Sequence, residues 1–291
     1  MIREALLHCP QIGPSRLEKL HAAGIRTWSD VIERQDDLPA GIRSTIVAEV
    51  KQCLEAIEQE DIAYFVNHLA PRDRWRILSH FLDDVSFFDI ETDGLDHDAA
   101  ITTICCWHRG QVYTFLEHEN LDDFLDLLDE ITLLSSFNGS TFDVPRVLDA
   151  FHIPNLPCPH LDLRWLCYHK NLRGGLKEIC FQLGIFRPQD LEFADGELAI
   201  RLWMRWLHFK DKMAKSELIR YCASDVILLK ILAEKLVGVD PTQSPNYWDQ
   251  LPSCSHQARR PKESPEHTDA QQAFGQASPT RLRGRQRKNA G

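Results

Sequence analysis

Val85-Ser86-Phe87-Phe88-Asp89-Ile90-Glu91-Thr92-Asp93-Gly94 sets two acids at the end of an apolar, aromatic run. The run has the continuity of a buried strand. With a period of two, Asp89 and Glu91 project from one face while Phe88 and Ile90 project from the other. Two carboxylates side by side repel, so a cation is their natural partner. Asp-x-Glu alone is weak evidence, since it recurs at Asp190 and Asp195 in polar stretches where solvated turns are the better reading.

Two further strand-like runs follow, Ile101–Trp107 and Gln111–Leu116, divided by the turn signal Arg109-Gly110. Next come a helical pattern over 121–130, a buried strand over 131–137, a helix from near Thr141, a short strand over 160–163 and long helices over 196–210 and 213–236. Antiparallel strands giving way to strand–helix alternation predict an α/β domain with a mixed sheet flanked by helices, over 81–240. Upstream, residues 1–68 read as a small all-α domain. Pro14 suits a first helical turn, Gly24 a C′ position, and Thr27 with Asp30 a capping box. Residues 41–68 show helical spacing at Ile46, Val50, Leu54 and Ile57, and 69–80 read as a linker.

Beyond Asp240 six of the fifteen prolines fall in the last 51 residues, which predicts a disordered, basic tail over 241–291 ending in Arg281-Leu282-Arg283-Gly284-Arg285-Gln286-Arg287-Lys288. A length of 291 residues suggests about two domains. With 43% hydrophobic and 26% charged residues, a wholly disordered or collagen-like chain is excluded. No apolar run approaches the ~20 residues that cross a bilayer, and the start lacks a secretory pattern. The expectation is a cytoplasmic protein with no membrane partner. Nine cysteines without a C-x-x-C pair read as reduced, buried thiols. Charge is uneven: −3 over 1–60, −11 over 61–240 and +4 over 241–291.

Two other patterns place acids where a core does not favour them. In Asn138-Gly139-Ser140-Thr141-Phe142-Asp143-Val144-Pro145, Asn-Gly ends a strand, Ser140 or Thr141 can cap the next helix, and Asp143 falls in its first turn. By itself Asp143 reads as a favourable first-turn acid. In Tyr221-Cys222-Ala223-Ser224-Asp225, a spacing of four aligns Tyr221 and Asp225 with the apolar stripe of Leu218 and Leu229. By itself that pair reads as a helix-edge hydrogen bond.

Together the three patterns resemble the motifs of the DEDD group of 3′–5′ exonucleases with the ribonuclease-H-like fold. Asp89 and Glu91 match the first motif, Asn138, Phe142 and Asp143 the second, and Tyr221 with Asp225 the tyrosine form of the third. Arg220 holds the position of histidine in the alternative form. The resemblance covers about residues 81–238. Phe137-Asn138-Gly139-Ser140-Thr141-Phe142-Asp143, His160-Leu161-Asp162-Leu163 and Gly175-Leu176-Lys177-Glu178-Ile179 look most like the YprB-type branch. It implies Asp89, Glu91, Asp143 and Asp225 as ligands of two Mg²⁺ or Mn²⁺ ions, which carboxylate oxygens suit. It also implies Tyr221 as a catalytic residue orienting the attacking water, and Thr92 and Asn138 as contacts to the terminal nucleotide. The expected substrate is DNA or RNA, at single-stranded 3′ ends.

Lys170, Arg173 and Lys177 read equally as phosphate contacts or a solvated basic face. Asp162 ranks behind the four acids, as a supporting acid or an alternative ligand. His160 and His169 read as structural, and Trp203 and Trp206 as packing residues. At the N-terminus, Gln11-Ile12-Gly13-Pro14-Ser15 and the following Leu17, Leu20 and Gly24 resemble a helix-hairpin-helix, with Gln11 in place of the frequent first glycine. Amides near Gly13, with Arg16 and Lys19, then face a phosphate. A structural αα-hairpin or a protein-docking module reads nearly as well. The alternatives to an exonuclease are a structure-specific endonuclease using the same metals and a non-catalytic nucleic-acid-binding or scaffold protein.

Overall fold

The structure, a computed structural model, describes residues 1–253 apart from 95, 97 and 193. Its first part is helical: α1 (Pro14–Ala22), α2 (Trp28–Glu33), α3 (Ala40–Glu58), α4 (Ile62–His68) and α5 (Trp75–Phe81). Local rules place the ends. Pro14 opens α1, and Gly24, at φ +79, closes it with Gly24 N–H donating to His21 O and Ile25 N–H to Leu20 O. Thr27 and Asp30 exchange both hydrogen bonds of a capping box, 3.2 and 2.8 Å, a stabilisation of about 1 kcal/mol. The pattern over 41–68 is two helices: Glu60 turns left-handed at φ +52, and Asp61 restarts the chain by accepting from Tyr64 N–H.

Ahead of α1 there is only a 3₁₀ turn, Ile2–Glu4, where the hairpin resemblance implies a helix. The bend itself is present. Gln11 stands at φ +67, the conformation that the glycine it replaces would supply at lower cost.

The expected linker over 69–80 is corrected. Residues 75–81 form α5, whose Ile77, Leu78 and Phe81 are buried in a core that runs without a break from Ile2 to Leu251. Apolar residues every three to four positions drew this segment into the core, where a linker would have stayed polar.

Five strands form one mixed sheet in the order β3-β2-β1-β4-β5: β1 (Val85–Thr92), β2 (Ile101–His108), β3 (Gln111–Leu116), β4 (Leu133–Ser136) and β5 (His160–Asp162). β1 is central, antiparallel to β2 and parallel to β4. Arg109 and Gly110, both at positive φ, make the two-residue turn that matches the twist of the β2–β3 hairpin. One sheet face buries Phe88, Ile90, Ile104 and Leu134 with Phe124 of α6 (Asp123–Glu130) and Val147 of α7 (Asp143–Ala150). The other buries Val85, Phe87, Cys105 and Trp107 with α11 (Lys212–Val237), the longest described helix. The connections between β5 and α11 hold α8 (Leu163–His169), α9 (Leu176–Gln182) and α10 (Gly196–Phe209). Trp203 is buried and Trp206 packs beside it, as expected.

Residues 241–253 correct the expected start of the tail. They carry two 3₁₀ turns, and Tyr247 stacks edge-on at 5.1 Å to Trp107 while its hydroxyl donates to Glu234 at 2.5 Å. Leu251 is buried, and Pro252 O accepts from Arg220. Residues 254–291, with the Arg-rich end 281–288, lie outside the described residues. Among those described, no helix is long and apolar enough to cross a membrane.

Candidate active site

β1 carries Asp89 and Glu91 past the sheet core on the face that looks toward α11, as the alternation requires. The parallel neighbour β4 ends beside it, and the chain then turns through Asn138-Gly139 to present Asp143 at the start of α7. α11 brings Tyr221 and Asp225 across the same edge. Glu91, Asp143 and Asp225 are buried and Asp89 is half-buried. Ligand atoms of Asp89, Glu91 and Cys222 lie within 4.8 Å of one another. A cleft of about 500 Å³ is lined by Asp89, Glu91, Thr92, Lys177, Tyr221 and Asp225.

Burial and mutual repulsion dominate the chemistry. Burial pushes the Asp89 carboxyl up to about 7 against the opposing pull of Arg187 and Lys177. Burial, then Asp89, raises Glu91 well above the carboxylate range, with Asp143 adding to the repulsion. Asp143 is raised by burial and by Asp89, although its own N–H and that of Ile90 donate to it. Such a cluster is fully ionised only with added positive charge. The donors are hard oxygens, which fits Mg²⁺ or Mn²⁺. Cys222 does not alter that preference: burial holds its thiol well above the usual range, and it donates to Asp89 O at 3.6 Å.

Asp225 is shared with a cation that the sequence reading missed. Arg187, with a side chain only 5% exposed, pairs with Asp225 and lies 5.1 Å from the Tyr221 ring. Phe186-Arg187-Pro188 sits in a connection without periodicity, so no sequence signal marked it. Lys177, in the first turn of α9, donates to Ala194 O and stands 5.5 Å from the Tyr221 ring. Burial, then Arg187, lowers its basicity. The Tyr221 hydroxyl is moved upward by burial and by Glu91, so it stays protonated.

Asp162 settles the loop. Its carboxylate accepts from the backbone N–H groups of Asn138 (2.8 Å), Ser140 (3.1 Å) and Arg164 (3.0 Å), so it caps α8 and fixes 138–140 together. Those three bonds tie its carboxylate to the loop backbone, as a supporting acid would be tied. Asn138 sits at φ +66, with its Oδ1 accepting from Thr141 and Arg164. At Gly139 a Cβ would stand 1.9 Å from Ser136 Oγ, which explains the glycine. The expected cap of α7 by Ser140 or Thr141 is corrected: Phe142 occupies that position with no side-chain bond, because Thr141 Oγ1 turns back to Asn138. Thr92 Oγ1 donates to Gly94 O at 2.7 Å.

Gly13, just ahead of α1, and Arg16 and Lys19 within it do not line this cleft; Arg16 donates to Gln11 O. The two other Asp-x-Glu patterns are accounted for, since Asp190 pairs with Arg220 and Asp195 caps α10. His160 is bonded to Ser136 Oγ at 2.8 Å. A second group, His8, Glu49 and Cys53, is tied internally, with Tyr64 donating to Glu49 at 3.2 Å and His8 Nε2 at 3.1 Å from Cys53.

A family model described as RNase_H superfamily matches residues 86–237. No curated protein matches the sequence. Among solved structures, the family B DNA polymerase from the hyperthermophilic archaeon Pyrobaculum calidifontis aligns with a TM-score of 0.43 at 18% identity, over 53% of this chain and 24% of the polymerase chain. The aligned part therefore spans about a quarter of that protein.

Proposed function

The chain belongs to the RNase H superfamily through residues 86–237, and from that membership we propose a metal-dependent nuclease that removes nucleotides from the 3′ end of DNA or RNA. One observation supports it above the rest: Asp89, Glu91 and Asp143 meet at the carboxyl edge of the central strand, each raised by burial and the latter two also by repulsion from Asp89, while Tyr221 and Asp225 of α11 line the same cleft as Asp89 and Glu91. The mixed sheet with flanking helices is the RNase H-like architecture expected from the sequence. The order of the motifs supports the finer reading, a DEDD exonuclease of the tyrosine subtype in the YprB-type branch.

Asp89, Glu91, Asp143 and Asp225 would hold two Mg²⁺ or Mn²⁺ ions. Bound there, such ions supply a lowered water pKa and charge neutralisation at the attacking and leaving oxygens of an in-line displacement. The chain's own residues do the rest. Tyr221 keeps its proton and orients water by hydrogen bonding, so it is no general base. Arg187 and Lys177 bring positive charge beside the acids, where a phosphate would otherwise be repelled. Thr92 lines the acidic cleft and Asn138, held by Asp162, lines an adjoining hollow, which supports reading both as contacts to the terminal nucleotide.

Incubation of 3′-labelled and 5′-labelled oligonucleotides with Mn²⁺ tests this. A ladder shortening from the 3′ end is expected. Internal cuts would point to the endonuclease, and binding without cleavage to the scaffold.

A further inference from the structure

The acidic cleft continues past Phe137, Gly175 and Leu176 into a second hollow of about 680 Å³. Its wall is α8. Trp165 and Tyr168 stand three positions apart on that helix and share a face. They leave 49% and 47% of their surface in water, with rings meeting edge to face at 5.9 Å. Adjacent large aromatics left this open mark a binding surface more often than a packing accident.

Each ring has its own cation. Arg164 lies 6.0 Å from the Trp165 ring and Arg173 lies 3.9 Å from the Tyr168 ring, and both arginines are exposed. Lys170 ends the same helix, and burial first, then the nearby Arg72, Arg173 and Arg74, lowers the basicity of His169. This cationic ridge lies in a stretch, 61–240, that carries −11 overall. It is also held in register with the acids. Asp162 caps α8 with the carboxylate that binds Asn138 N–H, and Arg164 donates to Asn138 Oδ1. Arg173 is anchored on Tyr168 O at 2.5 Å, and Gly174, at φ +118, makes the turn into α9 where a Cβ would meet Glu178.

We infer that Trp165 and Tyr168 form a stacking platform for the single-stranded segment of a nucleic acid whose 3′ end enters the acidic cleft, an inference that rests on the nuclease reading. Unpaired bases stack on the rings while Arg164 and Arg173 take the neighbouring phosphates. Stacking of this kind is tolerant of sequence and needs base faces that a duplex hides. The substrate class that follows is single strands or 3′ overhangs several nucleotides long.

The test uses the full chain with Trp165→Ala/Tyr168→Ala, and with Trp165→Phe/Tyr168→Phe as the conservative control. Fluorescence anisotropy with labelled oligothymidylates of 3 and 12 nucleotides is read in EDTA, so binding is measured without cleavage. The alanine pair is expected to weaken the 12-mer on the order of 10- to 100-fold, leave the 3-mer nearly unchanged, and raise KM for the 12-mer with kcat retained. The phenylalanine pair is expected to stay within about threefold of the parent. Hydrolysis of the p-nitrophenyl ester of thymidine 5′-phosphate, too small to reach α8, is expected to be equal in all three proteins. Unchanged 12-mer affinity in the alanine pair, or equal affinity of the parent for a blunt duplex, overturns the platform while cleavage still stands. Failure of the parent to cleave any oligonucleotide removes the nuclease reading instead, and the EDTA measurement still reports on the rings.

Discussion

The acidic cleft and the α1 hairpin were both marked by short motifs, yet they are built on opposite physical terms. In the cleft, strands and a long helix force carboxylates together out of water, so their charge states depend on one another. At α1, Gly13, Arg16 and Lys19 are exposed, and Arg16 already serves the Gln11 carbonyl. A buried polar group is costly to leave unpartnered, whereas an exposed one loses little by being solvated. Burial therefore separates a motif under chemical tension from one that solvent can satisfy.

The contrast breaks most sharply by mutation. Asp89→Ala or Asp143→Ala is expected to lower cleavage by about 10³-fold or more, the scale of losing a principal electrostatic support, while Asp162→Ala acts through a loosened 138–140 loop and lowers the melting temperature as well. A single-turnover assay beside a thermal melt separates the two. Cleavage unchanged by Asp89→Ala would sink the metal-site assignment.

Next is acid sensitivity. Burial lowers the His160 imidazole from 6.5 to about 4. The unfolded chain then binds the proton first, so stability is intact above about 6.5 and declines as pH falls toward 4, by roughly 3 kcal/mol in total. The difference in urea stability between the parent and His160→Gln, followed from pH 7 to 4, checks this, because the acids shift both proteins alike and only the parent carries the histidine's loss. The acids work in the opposite sense. Asp89, Glu91 and Asp143 keep protons that the unfolded chain has lost, so their contribution falls as pH rises from about 4 through 7 when no metal is added. Mg²⁺ or Mn²⁺ should therefore raise the melting temperature more at pH 8 than at pH 6, with proton release on binding seen by calorimetry.

Gly139→Ala drives a methyl into Ser136 Oγ, and a loss of about 1–3 kcal/mol is expected in denaturant unfolding. The smallest effect belongs to α1. Arg16→Ala should leave kcat on a short oligonucleotide unchanged and lower the salt dependence of binding by about one unit of slope if it meets a phosphate. No change in that slope would leave the hairpin a structural element.

Much of this site was legible because it follows local rules. Period two put Asp89 and Glu91 on one side of β1, a spacing of four aligned Tyr221 with Asp225, and Asn138-Gly139 had to end β4. Boundaries suffered where a tertiary contact won. Residues 75–81 coil because Phe81 and Ile77 have a core to enter, and 241–253 stay on the fold because Tyr247 finds Trp107 and Glu234. Trp165 and Tyr168 drew no notice, since aromatics at helical spacing read as core in a sequence.

By its own pattern, then, the chain fixed which residues share a strand face or a helix stripe, for these depend only on backbone periodicity. The sheet order β3-β2-β1-β4-β5 determined who meets whom. It set Asp143 beside Asp89, while the packing of α11 on β1 and β2 brought Asp225 from far along the chain, with Arg187 against it. Those meetings are contacts between distant segments, and their energies exist only once the intervening chain has closed.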